Sequence, residues 1–268
     1  MTPLWIRAAL ALSAALAAVD AGADPWPPGV TLPPGTPVSE DYREQFALCD
    51  QAGVFRGDQS RYTRGCPSDP NAVTALQRLH GGEIAFTSKL ALDMEGSPYA
   101  CGPDHGRTDQ CPTSLMLRDP GGAEVPVNAD AVPYVVIPDA GPPGLAGEFR
   151  ERTGVGVGDF GVVIANGRTV PVIVADTGPY SKLGEGSLAL HRALGHEQCA
   201  ERNDQDVCVR IVDSGESIAS GVTTILFPGS ARGDLTPDNI AMLTRREGQR
   251  LWSGLQRQNR TAANPGSS

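Results

Sequence analysis

From residue 83 to residue 227 the apolar residues fall into short runs, many of them alternating with polar ones, at Glu83–Thr87, Ser114–Leu117, Tyr134–Ile137, Phe160–Ala165, Thr169–Ala175, Val207–Val212 and Thr223–Phe227. Runs of this length and period predict strands. Asn166-Gly167, between two of them, is a type I′ hairpin signal, so Phe160–Ala165 and Thr169–Ala175 are expected to pair antiparallel. Six or seven short strands separated by long loops predict a mainly β fold with peripheral helices, a small β-barrel rather than a wound α/β sheet.

Helical spacing flanks this region. Ser39–Asp50 has an acidic first turn and apolar Tyr42, Phe46 and Leu48. Asp69-Pro70-Asn71 opens a second predicted helix, with Val73, Leu76 and Leu79 on one face and Gly81-Gly82 as its stop. Ser187–Leu194 reads as a short helix. Thr236-Pro237-Asp238 is an N-cap with proline at the first helical position. Ile240, Leu243, Leu251, Trp252 and Leu255 continue it as one stripe, so a C-terminal helix over Thr236–Gln258 is expected, broken or frayed near Gly248.

The ends read differently. Residues 1–23 resemble a secretory signal, with Arg7, an apolar run from Ala8 to Val19 and a small-residue Ala21-Gly22-Ala23 site. That run is too short to span a bilayer comfortably. Residues 24–38 form a proline-rich leader, 39–260 the domain with its core at 83–230, and 261–268 a tail expected to be disordered. An exported monomer, free of the membrane once the signal is cleaved, is the expectation.

Charge narrows the partners. The 268 residues carry 22 Lys and Arg against 31 Asp and Glu, a net charge of −9. A nucleic acid or an anionic membrane would favour a basic face, whereas an acidic chain suits a cationic polymer. Cys49, Cys66, Cys101, Cys111, Cys199 and Cys208 are an even set in an exported chain, so disulfides are expected. Local pairing, 49–66, 101–111 and 199–208, is the most economical of the fifteen connectivities. No two cysteines have the spacing of structural zinc ligands, and no metal is expected.

The candidate chemistry lies in Val174–Gly195. Asp176 follows an apolar run and precedes a turn on Gly178-Pro179, and Glu185 sits between Gly184 and Gly186. Two carboxylates either side of one chain reversal suit acid/base glycoside hydrolysis. A turn-capping Asp and a solvated Glu fit the same residues. Tyr180, between the two carboxylates, and Tyr134 and Tyr99 are candidates for stacking on sugar. Gly154–Gly158 precedes a strand instead of opening a helix, which removes a phosphate loop. There is no Gly-x-Ser-x-Gly elbow. His80, His105, His191 and His196 are scattered, and His191 reads as a partly exposed helix residue.

Asp176-Thr177-Gly178-Pro179 followed by Leu183-Gly184-Glu185-Gly186-Ser187-Leu188-Ala189-Leu190 resembles the active-site signature of the family 75 glycoside hydrolases, the fungal-type chitosanases. Leu92–Pro98, Val132–Pro138, Gly158–Val163 and Gly221–Pro228 resemble further family blocks in the same order. The resemblance implies Asp176 and Glu185 as catalytic pair, endo-acting inverting cleavage of β-1,4-linked glucosamine in chitosan, and no cofactor. It also implies that Asp93 and Glu95 line the cleft, although the run Asp93-Met94-Glu95-Gly96 is shorter than the acidic run of fungal members. The Asp-x-Gly-Pro turn is similar to one in double-psi β-barrels. Asp176, at the end of an apolar strand, is expected to be the acid, and Glu185, near a helix N-terminus, the base. A non-hydrolytic polysaccharide-binding barrel and a peptidoglycan-cleaving enzyme with a single Asp remain alternatives.

Overall fold

The computed structural model describes residues 26–102, 111–212 and 217–263. Its elements run β1 (Gly35–Pro37), α1 (Glu40–Ala52), β2 (Ala75–Leu79), β3 (Ile84–Asp93), α2 (Pro98–Cys101), β4 (Met116–Arg118) and β5 (Glu124–Pro126). There follow β6 (Tyr134–Ala140), α3 (Glu148–Thr153), β7 (Phe160–Ala165), β8 (Arg168–Pro179), β9 (Glu185–Ser187) and α4 (Leu188–Ala193). The chain then forms β10 (Cys199–Arg202), β11 (Cys208–Ile211), β12 (Ile218–Leu226) and α5 (Ile240–Ala263).

Six strands close a mixed barrel in the order β3-β12-β7-β8-β6-β9, with β9 returning to β3. The β6–β8 and β3–β9 pairs are parallel and the others antiparallel. The expected hairpin forms the β7–β8 pair, with Asn166 and Gly167 both at positive φ as its turn requires. Alternate residues drive the closure. Phe86 and Leu90 of β3, Val135 and Ile137 of β6, Val163 of β7, Val172 and Val174 of β8 and Val222 and Leu226 of β12 meet in one buried cluster. Each such side chain contributes about 1.5–3 kcal/mol on leaving water. Tyr42 and Phe46 of α1 and Phe149 of α3 join the same cluster and cap it.

On the outer face, Leu251, Trp252 and Leu255 of α5 pack against Ala85, Val162 and Ile225. Gly248 is no break. A Cβ there would lie 2.8 Å from the Gly161 carbonyl oxygen and 2.8 Å from Pro171, so the missing side chain lets a continuous helix lie flush on the sheet. The helix begins at Ile240, four residues beyond the expected start. Asn239 folds its side chain back to the Thr236 N–H at 2.9 Å and to the Asp234 carbonyl at 2.8 Å.

Three other expectations are corrected. The segment read as a helix from Asp69 instead supplies β2, because its backbone pairs with both β1 and β3, and Leu76 and Leu79 turn to opposite faces. The proline-rich leader is part of the fold from Trp26 onward. Trp26 and Leu32 are buried against Ala75, Leu79 and Phe227, and β1 adds an edge strand. Residues 261–263 continue α5, and 264–268, like 1–25, lie outside the described residues.

All three local disulfides form, Cys49–Cys66, Cys101–Cys111 and Cys199–Cys208. Disulfides of this number belong to an oxidising compartment. Among the described residues no helix is long and apolar enough to cross a membrane. The runs at Ser114–Leu117 and Val207–Val212 contribute β4 and β11, but these pair only with β5 and β10, in two ribbons outside the barrel.

Candidate active site

An open groove of about 730 Å³ crosses the ends of β3, β9, β6 and β8, with Val136 in its lining and Asp69, Asp93, Glu95, Asp176 and Glu185 around it. Four of these five carboxylates are those singled out in the sequence. Their common orientation depends on a bulge. Val172 and Val174 point into the barrel core, so strict alternation would send Asp176 there too. The β6–β8 register steps from Val135↔Val174 to Val136↔Asp176, and Ala175 is the extra residue. A bulge re-aims the side chain beyond it. Here it brings Asp176 onto the Val136 side, facing the groove. The Ala175 carbonyl accepts the Leu115 N–H at 2.8 Å, so the bulge leaves that group satisfied.

Glu185 opens β9, a three-residue strand wedged between β3 and β6. Its flanking glycines fit that wedge. Gly184 has φ +84°, and a Cβ there would meet the Lys89 carbonyl oxygen at 2.1 Å; a Cβ on Gly186 would meet Leu190 at 2.7 Å and the Tyr134 carbonyl oxygen at 3.0 Å. Ser187 then locks the strand end. Its hydroxyl donates to the Val132 carbonyl at 2.8 Å and accepts from the N–H groups of Tyr134 and Leu190, capping α4. Val136 is the register partner of Asp176 on one side and of Glu185 on the other. Two strand spacings separate the α carbons, about 9.5 Å. From β8, Gly178 leaves the Glu185 carboxyl room, since a Cβ there would lie 3.0 Å from Oε2. Asp176 and Glu185 therefore line one groove in strands, and not at loop positions.

No protein-family model and no curated protein matches this chain. The chemistry is accordingly read from the groove itself.

Asp176 is surrounded by donors. Its Oδ1 accepts from the Ser114 N–H at 2.8 Å and the Ser114 hydroxyl at 2.7 Å, and Glu95 hydrogen-bonds to the carboxylate as well. Oxygens of Asp93, Glu95 and Asp176 lie within 4.8 Å of one another. That is close enough to bracket a cation, but the Glu95–Asp176 hydrogen bond already joins two of the three through a proton. Burial pushes the Glu95 carboxyl up to about 10, aided by that hydrogen bond and by the neighbouring acids. Burial also raises Asp93 to about 7, with the Asp176 and Glu185 charges adding to it and the Glu95 N–H opposing. Glu185 is raised, again chiefly by burial, and the nearby Lys89 charge works against the rise.

The tyrosines do not offer sugar-stacking faces. Tyr134 is fully buried under the carboxylates, and its hydroxyl donates to the Glu95 carbonyl at 2.9 Å. Tyr180 is also buried, edge-on to Phe55 with ring centroids 5.0 Å apart, and it donates to Asp58. Tyr180 lies between the two carboxylates in sequence, but both side chains turn into the core. Tyr99 does not line the groove. His191 is fully buried and not partly exposed. Its Nε2 donates to the Ala91 carbonyl at 3.1 Å, and burial lowers its pKa to about 4. His105 lies outside the described residues.

Sequence reasoning missed Ser114, Asp69, Lys89 and Lys182. Only Lys89 left a trace, as the one basic residue in the strand Ile84–Asp93. Its side chain is 1 % exposed.

Proposed function

We propose that this protein is an exported, endo-acting glycoside hydrolase that cleaves β-1,4-glucosamine linkages of chitosan with inversion, using Glu185 as general acid and Asp176 as general base. The reading is carried by the shared register of the two carboxylates with Val136, which puts them on one groove wall-to-wall. Inverting enzymes need about 6.5–9.5 Å between the carboxyl groups, to leave room for the water. Two strand spacings between the α carbons are of this order, whereas Glu95, with an oxygen within 4.8 Å of Asp176, stands too close to admit a water between them.

The roles are the reverse of those expected from the sequence. Burial favours the protonated form of Glu185, as a general acid requires. The Ser114 N–H and hydroxyl both donate to Asp176 Oδ1 and fix its carboxyl toward the groove, as a positioned base requires. Glu185 lies three residues before the first residue of α4, whose Leu190 N–H bonds Ser187 and whose Ala189 N–H bonds the Ala129 carbonyl, so neither is directed at Glu185. In the reaction Asp176 takes a proton from water as its oxygen attacks the anomeric carbon. The glycosidic C–O bond breaks, and Glu185 gives its proton to the leaving oxygen. Asp93, at the groove, suits a sugar carrying ammonium groups, and the Asp176/Glu185 motif resembles that of the family 75 chitosanases. Export is supported by the three disulfides and the signal-like N-terminus.

The test is product analysis on chitosan oligomers by proton NMR, with chitin and purified peptidoglycan alongside. The α-anomer is expected first, and Glu185→Gln and Asp176→Asn should each reduce cleavage by about 10²–10⁴-fold while leaving the fold intact. A folded Glu185→Gln protein with full activity would overturn the paired mechanism in favour of a single-Asp reaction. Binding without cleavage by the wild type would favour the non-hydrolytic barrel.

A further inference from the structure

Behind Glu185 lies a charge cluster that the acid/base pair does not by itself require. On β3, Lys89, Ala91 and Asp93 share one face, because side chains alternate along a strand. Ala91 is the register partner of Glu185, so Lys89 and Asp93 are its diagonal neighbours on that face. The Lys89 ammonium is buried and hydrogen-bonds to Asp69 Oδ2. Lys182, from the β8–β9 connection, approaches the same Oδ2 at 3.0 Å with its side chain 6 % exposed, and it also donates to the Asp69 carbonyl. Two buried ammoniums thus share one carboxylate, which leaves one positive charge without a partner of its own. Buried charges are costly unless paired. The remaining charged groups facing Glu185 are Asp176 from β8 and Asp93 and Glu95 at the end of β3. Those three stand together on the far side, where Glu95 and Asp176 already satisfy each other.

We propose that Lys89, held by Asp69 in company with Lys182, is a positioning residue that stabilises the Glu185 carboxylate formed when Glu185 releases its proton. The inference rests on the assignment of Glu185 as the acid. Glu185 is half-buried, so on giving up its proton it leaves a partly desolvated anion. The surplus charge on the Lys89–Asp69–Lys182 cluster is then neutralised instead of stranded. Lys89 loses some basicity through burial and through Lys182, while Asp69 and Glu185 act in the opposite direction, consistent with an ammonium that depends on both carboxylates.

The test titrates Glu185 directly, by carboxyl-carbon NMR of ¹³C-glutamate-labelled protein, with Glu185→Gln assigning the signal. Lys89→Met should raise the Glu185 midpoint by about one unit or more, the scale of a lost neighbouring charge. Lys89→Arg should largely restore it. Asp69→Asn should move the midpoint the other way, because two ammoniums would then face Glu185 without their shared counter-ion. Opposite shifts from two partners of one cluster are not what general loosening of the fold would produce. With chitosan oligomers, Lys89→Met should lower kcat more than it changes KM and move the alkaline limb of the pH profile upward. An unchanged midpoint in folded Lys89→Met, or equal shifts of one sign from Lys89→Met and Asp69→Asn, would overturn the proposal. Should Lys89→Met not fold, a midpoint that stays put or rises in Asp69→Asn overturns it equally. The titration needs no turnover, so opposite midpoint shifts in a protein that cleaves no chitosan would sink the hydrolase reading and leave the electrostatic coupling standing.

Discussion

Asp176 and Glu185 are register partners of the same residue, Val136, one across the parallel β6–β8 pair and the other across the antiparallel β6–β9 pair. Their separation of nine positions in the chain does not create this relationship. It follows from the closure of the barrel, which inserts β9 between β3 and β6, and from the bulge at Ala175.

Stability should fall as the pH rises through the range in which the groove acids ionise. Asp93 goes from an ordinary 3.8 to about 7 on folding, so the folded state holds this proton more tightly than the unfolded chain. Its contribution is complete below the ordinary value and is lost as the pH climbs through about 7, and Glu95 extends the loss toward about 10. Melting temperatures of the wild type and of an Asp93→Asn/Glu95→Gln variant across this range provide the check. The variant should show a shallower decline, and an identical slope would contradict the burial of these acids.

Tyr180 should prove structural. Tyr180→Leu removes the edge contact with Phe55 and the hydrogen bond to Asp58, and it should cost about 2–4 kcal/mol in urea unfolding, as other truncations of buried aromatics do. The KM for chitosan oligomers, measured well below the melting temperature, should not change. A large rise in KM would restore a substrate contact.

Two glycines of α5 should respond in opposite directions. Gly248→Ala forces a Cβ against the Gly161 carbonyl and Pro171, and overpacking of this kind costs about 1–3 kcal/mol. At Gly254 the nearest atom to an added Cβ is the end of the Arg257 side chain at 4.0 Å, so Gly254→Ala should gain up to about 1 kcal/mol from helix propensity. Chemical denaturation of the two single variants compares them directly.

The disulfides should differ in weight. Both cysteines of Cys49–Cys66 are fully buried in the main core, and the bridge closes the longer loop, a separation of 17 residues against 10 for Cys101–Cys111. Replacing the first pair by alanine should cost about 2–5 kcal/mol, and replacing the second should cost less. Urea titrations would show the order, and alkylation without reduction should label no thiol.

Much of the architecture was legible along the chain. The period-two runs, the Asn166-Gly167 turn, the acidic first turn of α1 and the pairing of neighbouring cysteines are local, because a few adjacent residues carry the whole signal. The same holds for the carboxylates Asp93, Glu95, Asp176 and Glu185, whose spacing and motif put them forward before any geometry. What needed the tertiary structure was everything decided by a partner distant in sequence. A three-residue strand such as β9 has no period to read, and β2 carries helical spacing that its pairing with β1 and β3 overrides. The bulge at Ala175 exists only relative to Val136, so the face on which Asp176 emerges could not be known from alternation. Tyr180 lies beside the site in sequence and turns away from it in space, since a buried ring gains more from core packing than an exposed one does from water. The proposed acid and base roles also turn on partners distant in sequence. Burial raises the Glu185 carboxyl, and the charge of Lys89, 96 positions earlier in the chain, opposes that rise.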